Sequence, residues 1–154
     1  MSLLAAWMYR VLAWKERRRA ASASFPHAQQ RFERESPELG ARGETLAYWY
    51  LRQAGYTVVA RNWRARSGGG ELDLVAWEGP TLAFVEVKTR TSLLAGFPEE
   101  AVTSNKQIRV IKGAKAYLQQ LKRQPSSCRF DVVSVSLLPA KGLEVRLIKN
   151  AFRA

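Results

Sequence analysis

Hydrophobic residues after position 36 recur first with a helical spacing. The segment begins with Ser36-Pro37-Glu38, in which Ser suits the N-cap, Pro the first helical position and Glu the positive end of the helix dipole. It ends before Gly55, a residue typical of the position after a helix. Between these ends, the apolar stripe is Leu39, Leu46, Ala47, Tyr50, Leu51 and Ala54. This spacing predicts a core-facing helix over residues 36–54.

The spacing then changes to that of β-strands. Three segments rich in β-branched and aromatic residues follow: Tyr56–Arg66, Glu71–Trp77 and Thr81–Thr89. Turn residues join them at 67–70 and 78–80. Because tight connections join antiparallel neighbours, we predict an antiparallel meander, with Leu72 and Leu74 on one face of its second strand.

A second helix and two more strands complete the pattern. The helix is predicted over about Ser104–Arg123, after a loop around Gly96-Phe97-Pro98. Its apolar face carries Ile108, Ile111, Ala114, Leu118 and Leu121. The final strands are Arg129–Leu138 and Leu143–Ile148, joined by a turn at Pro139–Gly142. The order α-β-β-β-α-β-β predicts a mixed five-stranded α/β sheet with a helix on each face.

The first 35 residues are predicted to be an appendage to a domain at residues 36–154. Leu3–Trp14 is apolar apart from Arg10, a basic run follows at 15–19, and residues 20–35 have the composition of a linker. The apolar run is shorter than the roughly 20 residues of a membrane span, and no cationic segment precedes it as in a secretory signal. We therefore expect a cytoplasmic protein.

This N-terminal segment has two interpretations. It is either a helix that packs on the domain or on a partner, or an interfacial anchor that brings residues 3–19 to a membrane. In both cases the linker is expected to separate it from the core. A chain that starts near Ser36 is therefore expected to fold.

The charge balance and the scarce residues restrict the chemistry. Lys and Arg number 25 and Asp and Glu 13, a net charge of +12, which favours nucleic acid or an anionic membrane as partner. With one Cys and one His, the chain can form no intrachain disulfide and no zinc site of Cys and His. Any catalysis is therefore expected to use carboxylates, Lys, Arg and a hard metal ion.

Acidic and basic residues cluster on two neighbouring predicted strands. Residues two apart in a strand share a face, so Glu71 lies beside Asp73, and Glu86 beside Lys88. Pairing of the hairpin brings Asp73 close to Glu86. Carboxylates this close repel one another unless a cation neutralises them, and Lys88 supplies one charge. The cluster is either a Mg²⁺ (or Mn²⁺) site or a solvated face with two cross-strand salt bridges.

Glu44 favours the metal site. It lies on the apolar stripe of the first helix, three residues before Ala47, where an acid is costly unless something pairs with it. Small residues such as Gly43 let this helix approach the sheet closely. The predicted catalytic set is Glu44, Asp73, Glu86 and Lys88, with the first three as metal ligands and Lys88 orienting the attacking water.

Two groups of residues are predicted to contact nucleic acid. On the first strand, base stacking and phosphate contacts can interleave at Arg61, Trp63 and Arg64, although an edge strand with a buried Trp explains the same pattern. In the second helix, Lys106 and Arg109 lie near the positive N-terminus and can hold a phosphate. A plain solvated helix face is the alternative.

Four motifs stand out along the domain: Gly40-x-x-Gly43-Glu44, Arg61-Asn62-Trp63-Arg64, Gly70-Glu71-Leu72-Asp73-Leu74 and Phe84-Val85-Glu86-Val87-Lys88-Thr89-Arg90. Together they resemble the motifs of the YraN family, bacterial proteins similar to Holliday-junction resolvases and to the PD-(D/E)xK nucleases. The resemblance implies a restriction-endonuclease-like fold in which Asp73, Glu86 and Lys88 form a metal-and-water site that Glu44 completes. The Asp lies in Glu-x-Asp rather than Pro-Asp, so the role of Glu71 stays open.

Three functions follow as hypotheses. The first is a metal-dependent endonuclease that hydrolyses phosphodiester bonds in DNA, including branched DNA. The second is a non-catalytic nucleic-acid-binding module of a larger complex, and the third is a membrane-associated interaction protein. Clustered carboxylates favour the first, because binding to DNA alone selects against them. A homodimer is also left open.

Overall fold

The computed structural model describes residues 2–22, 37–66, 68–91, 103–138 and 142–154. Its helices are α1 (Leu3–Ser22), α2 (Pro37–Gln53) and α3 (Ser104–Gln119). Its strands are β1 (Thr57–Arg64), β2 (Glu71–Glu78), β3 (Thr81–Arg90), β4 (Ser127–Leu138) and β5 (Gly142–Phe152). The predicted Ser36 cap, most of the predicted linker, Ser67, the loop at 96–98 and residues 139–141 of the last turn lie outside the described residues.

The five strands form one mixed sheet in the order β1-β2-β3-β4-β5. Strands β3 and β4 are parallel, and the other neighbours are antiparallel. A parallel pair needs a crossover connection, and α3 lies in that connection. The predicted α/β class, the five-stranded mixed sheet and the antiparallel meander are confirmed.

Each face of the sheet has its own hydrophobic cluster. Beneath α2, the cluster includes Leu46 and Leu51 of the helix together with Leu74, Val85 and Val133 of the strands. On the opposite face, α3 contributes Val110 and Ala114 to a cluster with Leu72, Val75, Phe84 and Phe130. The prediction of a helix on each face is confirmed.

Glycines let both helices approach the sheet at the same end. A Cβ atom added to Gly43 of α2 would collide with the Thr89 side chain on β3. One added to Gly70 would lie 2.8 Å from the Cα atom of Gly113 in α3. No residue larger than glycine fits at these contacts without a shift of the backbone or of Thr89. They bring the first half of α2 against β3 and the middle of α3 against the start of β2.

Two predictions about which residues face the core are wrong. Ile108 is 50% exposed, because the Gly70–Gly113 contact turns a different side of α3 to the sheet. Leu72 and Leu74 lie in opposite clusters rather than on one face. The ladder between β2 and β3 stops at the Leu74–Val85 pair, and strict alternation along β2 is lost there.

Helix α1 is longer than predicted and packs on the domain. It continues through residues 15–22, whereas the sequence predicts a basic run at 15–19 and the beginning of a linker at residue 20. Its Tyr9 ring contacts Tyr50 of α2 at 5.6 Å between centroids, and Ala13 is part of the α2-side cluster. Removing α1 would uncover this part of the core, so we no longer expect a chain from Ser36 to keep full stability.

Candidate active site

Asp73 lies where β2 and β3 separate. Counted from the turn at 79–80, the last backbone pair of these strands is Leu74–Val85, and Asp73 is the next residue of β2 beyond it. Its Oδ2 then accepts a hydrogen bond of 2.8 Å from the Val87 backbone N–H. The carboxylate takes the place of a backbone acceptor and is thereby held between the two strands.

Glu86 is a buried acid that lacks a full set of partners. The residue is 2% exposed, and its Oε2 has no hydrogen-bond partner in the described part of the chain. Burial, together with the nearby negative charge of Asp73, raises the pKa of Glu86 to about 8, while the positive charge of Lys106 opposes the rise. A buried polar atom without a partner is costly, so this position needs a proton or a ligand.

Lys106 is a cation in contact with three acids of this cluster. Its Nζ lies 2.8 Å from Glu71 Oε1, 3.4 Å from Glu86 Oε1 and 3.8 Å from Asp73 Oδ1. Burial opposes the charge on Lys106, but the three carboxylates outweigh it and raise its pKa. Arg109 adds a second cation 3.2 Å from Glu71 Oε1. The hydrogen bond from Lys106, assisted by Arg109, lowers the pKa of Glu71.

A cavity of about 250 Å³ lies beside the cluster. Its lining combines one helix residue from α2, three neighbours from β1, three from β2 and one from α3: Glu44, Asn62, Trp63, Arg64, Glu71, Leu72, Asp73 and Lys106. Glu44 therefore faces the same space as Asp73, as its place on the helix stripe predicted. The cavity is thus lined by acidic side chains and also by the aromatic Trp63 and the cationic Arg64.

The structure brings together most of the predicted catalytic residues but not as a three-acid metal site. Glu44 and Asp73 line the cavity, Glu86 lies behind it in contact with Lys106, and Lys88 is half-buried on β3. Within the described residues, no three acidic, histidine or cysteine side chains form a group that can hold a metal ion. The Lys106 ammonium lies among the carboxylates of Glu71, Asp73 and Glu86. The assignment of Asp73, Glu86 and Glu44 as metal ligands stays a prediction.

The predicted nucleic-acid contacts have mixed positions. Trp63 and Arg64 line the cavity, but Trp63 also packs edge-to-face on Tyr117 at 5.3 Å, as the edge-strand alternative required. Arg61 lies over the Tyr48 ring at 4.6 Å, outside the cavity lining. Lys106 and Arg109, predicted to hold phosphate, contact Glu71 instead.

Two features of the site were not predicted. One is the contact of Lys106 with three acids, which only the close approach of α3 to β2 creates. The other is Asn62, which lines the cavity with a backbone φ of 47°. Asn tolerates this left-handed conformation better than most residues, so an Asn inside a strand was the available signal.

The fold and the site define a mixed α/β protein with a carboxylate–lysine cluster beside a small cavity. The chain belongs to a family described as the uncharacterised protein family UPF0102, whose model matches residues 43–135. The matched region includes α2 from Gly43, the strands β1 to β3, and α3. It therefore contains every residue of the cluster and of the cavity lining.

Three relatives illustrate the similarity. A UPF0102 protein of Symbiobacterium thermophilum is 49% identical over 77% of this chain and 99% of its own length. UPF0102 proteins of Lachnoclostridium phytofermentans and Rhodococcus opacus are 52% and 46% identical, over 75% and 74% of this chain and 92% and 95% of their own. These names state a family and no activity.

Proposed function

We propose that this protein is a metal-dependent endonuclease that hydrolyses phosphodiester bonds in DNA, with branched DNA among its substrates. The observation that carries the proposal is the buried Glu86 carboxylate beside that of Asp73: within the described residues, Glu86 Oε2 has no hydrogen-bond partner. A structural acid at this depth is normally fully hydrogen-bonded. A cationic ligand that arrives with the substrate accounts for the missing partner.

The residues present fit a hard divalent cation. Mg²⁺ in nucleotide-processing sites takes one or two carboxylates, and substrate phosphate oxygens and water complete its shell. Asp73 and Glu86 would hold it, so a preformed group of three acids is not required. When bound, the cation supplies the Lewis acidity that phosphodiester hydrolysis needs.

The chain's own side chains have distinct roles in this proposal. Lys88 orients the attacking water and stabilises charge on the phosphate, while Glu44 faces the substrate from the far side of the cavity. Before substrate binds, the Lys106 ammonium offsets the negative charge of the acids. When substrate binds, it leaves Asp73 and Glu86 and contacts a phosphate oxygen. Arg109 lies beside it on α3 and supports the same phosphate.

DNA would enter over β1. Arg64 lies at the cavity with Trp63, and Arg61 lies three residues before Arg64 on the same strand. Phosphates and a base can therefore be contacted along one edge of the sheet. The net charge of +12 supplies the long-range attraction. Binding is expected to weaken with salt, as it does wherever phosphate contacts release counterions.

A non-catalytic nucleic-acid-binding module is the second candidate. One observation favours it: the Lys106 ammonium already neutralises the acids, 3.4 Å from Glu86 and 3.8 Å from Asp73. In this alternative the cluster is a permanent ion-pair network. DNA binding would then occur at the β1 edge without a metal.

Calorimetry with Mn²⁺ and cleavage assays distinguish the two candidates. The wild-type chain is compared with Glu86→Gln and Lys88→Ala, on linear, nicked, flapped and four-way DNA, with Mg²⁺, with Mn²⁺ and with chelator. Glu86→Gln should lose Mn²⁺ binding and cleavage together, because it removes a ligand. Lys88→Ala should keep Mn²⁺ binding and lose cleavage, because both ligands remain.

Glu144→Gln is the matched control, since it neutralises an acid that is 48% exposed on β5 and pairs with its neighbour Arg146. It should leave Mn²⁺ binding and cleavage unchanged. A wild-type chain that binds no Mn²⁺ at millimolar concentration with DNA present would exclude the nuclease and favour the binding module.

A further inference from the structure

Helix α1 leaves a surface of large apolar side chains uncovered. Leu3 is 89% exposed, Leu4 60%, Trp7 59% and Trp14 55%. At about 100° of rotation per residue, positions 3, 7 and 14 lie on one side of the helix, with position 4 at its margin. Exposed apolar side chains that cluster, rather than occur singly, mark an interaction surface.

The same side of α1 is strongly basic. Arg10, Arg17 and Arg18 are exposed on this side, and the Arg18 guanidinium lies over the Trp14 ring at 4.8 Å. The one acid of this helix, Glu16, is 7% exposed and pairs with Arg42 of α2 and with Arg19. The outer surface of α1 therefore combines tryptophan and leucine with positive charge and carries no exposed acid.

Packing fixes the orientation of this surface. Ala5 and Ala13 on the inner side are buried against the domain, and Glu16 anchors the helix to α2. The 20 residues of α1 span about 30 Å, so the exposed side is a long, flat strip. The helix also lies outside residues 43–135, which the family model matches. The strip is thus an addition to the part of the chain that carries the cluster and the cavity.

We propose that this strip binds an anionic lipid surface. Trp7, Trp14 and Leu3 would lie at the boundary between headgroups and acyl chains, where indole rings are favoured. The surrounding arginines would meet anionic headgroups. Among the described residues, no helix is long and apolar enough to cross a bilayer, so the contact is with the membrane surface.

Charge and apolarity decide among the alternative occupants. A second copy of the chain would bring like-charged strips together and is disfavoured. Duplex DNA would supply phosphates but no apolar surface to cover Leu3 and Leu4. An anionic bilayer satisfies both requirements at once. The inference does not depend on the proposed nuclease activity.

Vesicle co-sedimentation of the full chain tests the proposal. The vesicles are phosphatidylcholine alone or phosphatidylcholine mixed with phosphatidylglycerol, and duplex DNA binding is measured in parallel. The wild-type chain should bind the mixed vesicles and not the neutral ones. Trp7→Ser combined with Trp14→Ser should lower partitioning about tenfold, because it removes the interfacial side chains.

Two further variants complete the test. Arg10→Gln combined with Arg18→Gln should weaken binding to the mixed vesicles and reduce its dependence on salt. Val59→Ser is the matched control, because Val59 is an apolar residue that is 46% exposed on β1, away from α1; it should bind vesicles as the wild type does.

Absence of binding to the mixed vesicles would overturn the proposal, as would full binding by the double tryptophan variant. If that variant lost DNA affinity instead, the strip would be a nucleic-acid surface and the lipid assignment would be wrong. Circular dichroism and urea unfolding of each variant verify that the fold is kept.

Discussion

Two buried carboxylates lie on neighbouring parallel strands, and their surroundings differ. Asp131 on β4 is fully buried and pairs in register with Val85, one residue before Glu86 on β3. Its Oδ1 and Oδ2 each accept a hydrogen bond of 2.9 Å from Arg129 Nε, and Oδ1 also accepts one from the Asn150 backbone N–H. Every oxygen of Asp131 therefore has a donor.

Arg129, the partner of Asp131, has further hydrogen-bond acceptors of its own. Arg129 Nη2 donates to the Tyr56 hydroxyl at 2.7 Å and to Glu78 Oε2 at 2.6 Å, and Lys149 donates to Glu78. Burial would lower the pKa of Arg129, but the hydrogen bonds to Asp131 and Glu78 raise it. The network is closed, and each charge within it has an opposite charge in contact.

Glu86 differs from Asp131 both in its hydrogen bonds and in how its cationic partner is shared. Its Oε2 has no hydrogen-bond partner in the part of the chain that the structure describes, and its Oε1 lies 3.4 Å from Lys106, which two further carboxylates share. The sheet therefore buries Asp131 with all of its hydrogen-bond partners and Glu86 with only part of them. A buried acid with a full set of hydrogen bonds is typical of a structural role. A buried acid that has a shifted pKa, lacks some hydrogen bonds and lies next to a cavity is typical of a functional site.

The largest expected effect is on the structural acid. Asp131→Ala should lower the free energy of unfolding by about 3–5 kcal/mol, because it leaves Arg129 partly buried without its main partner. Urea denaturation measures the change. The matched control is Glu144→Ala, an exposed acid of β5 that should cost about 1 kcal/mol or less. Equal costs for the two variants would contradict the structural role of Asp131.

The pH dependence of stability distinguishes the second acid. The pKa of Glu86 is 4.5 before burial and about 8 in the folded chain, so the folded state binds more protons between these values. Stability should therefore fall as pH rises from about 5 to 8, with each unit of pKa difference worth about 1.4 kcal/mol. Thermal unfolding in metal-free buffer across this range measures the slope.

Glu86→Gln is the comparison for this slope. The amide is neutral at every pH, so the variant should be less sensitive to pH than the wild type and more stable at pH 8. A wild-type slope unchanged in Glu86→Gln would show that Glu86 does not titrate in this range.

The smallest expected effect concerns Lys106 and rests on the proposed metal site. Lys106→Met should lower stability by about 1–2 kcal/mol, because three carboxylates lose their shared cation. Mn²⁺ affinity should rise about tenfold, because the ion no longer competes with the ammonium. Calorimetry and urea denaturation give the two values.

Lys112→Met, an exposed lysine on the same helix, is the control for Lys106→Met and should change neither quantity. Weaker Mn²⁺ binding in Lys106→Met would mean that Lys106 supports the site rather than competing with the ion.

The sequence by itself determined the order of elements and the acidic members of the cluster. Spacing of apolar residues located α2 and the five strands, since the periods of helix and strand differ and turn residues separate them. Pairing across the tight turn at 79–80 brought Asp73 near Glu86, because a short hairpin leaves little freedom of register. The position of Glu44 on the α2 stripe placed it at the cavity.

Tertiary structure decided what local periodicity does not encode. The Gly70–Gly113 contact sets the rotation of α3, and that rotation exposes Ile108 and brings Lys106 onto the acids. Among the described residues, the same packing leaves Glu86 Oε2 without a hydrogen-bond partner, whereas Arg129 and the backbone of Asn150, 19 residues away, donate to Asp131. The two acids look alike along the chain, because the partners that distinguish them come from elements distant in sequence.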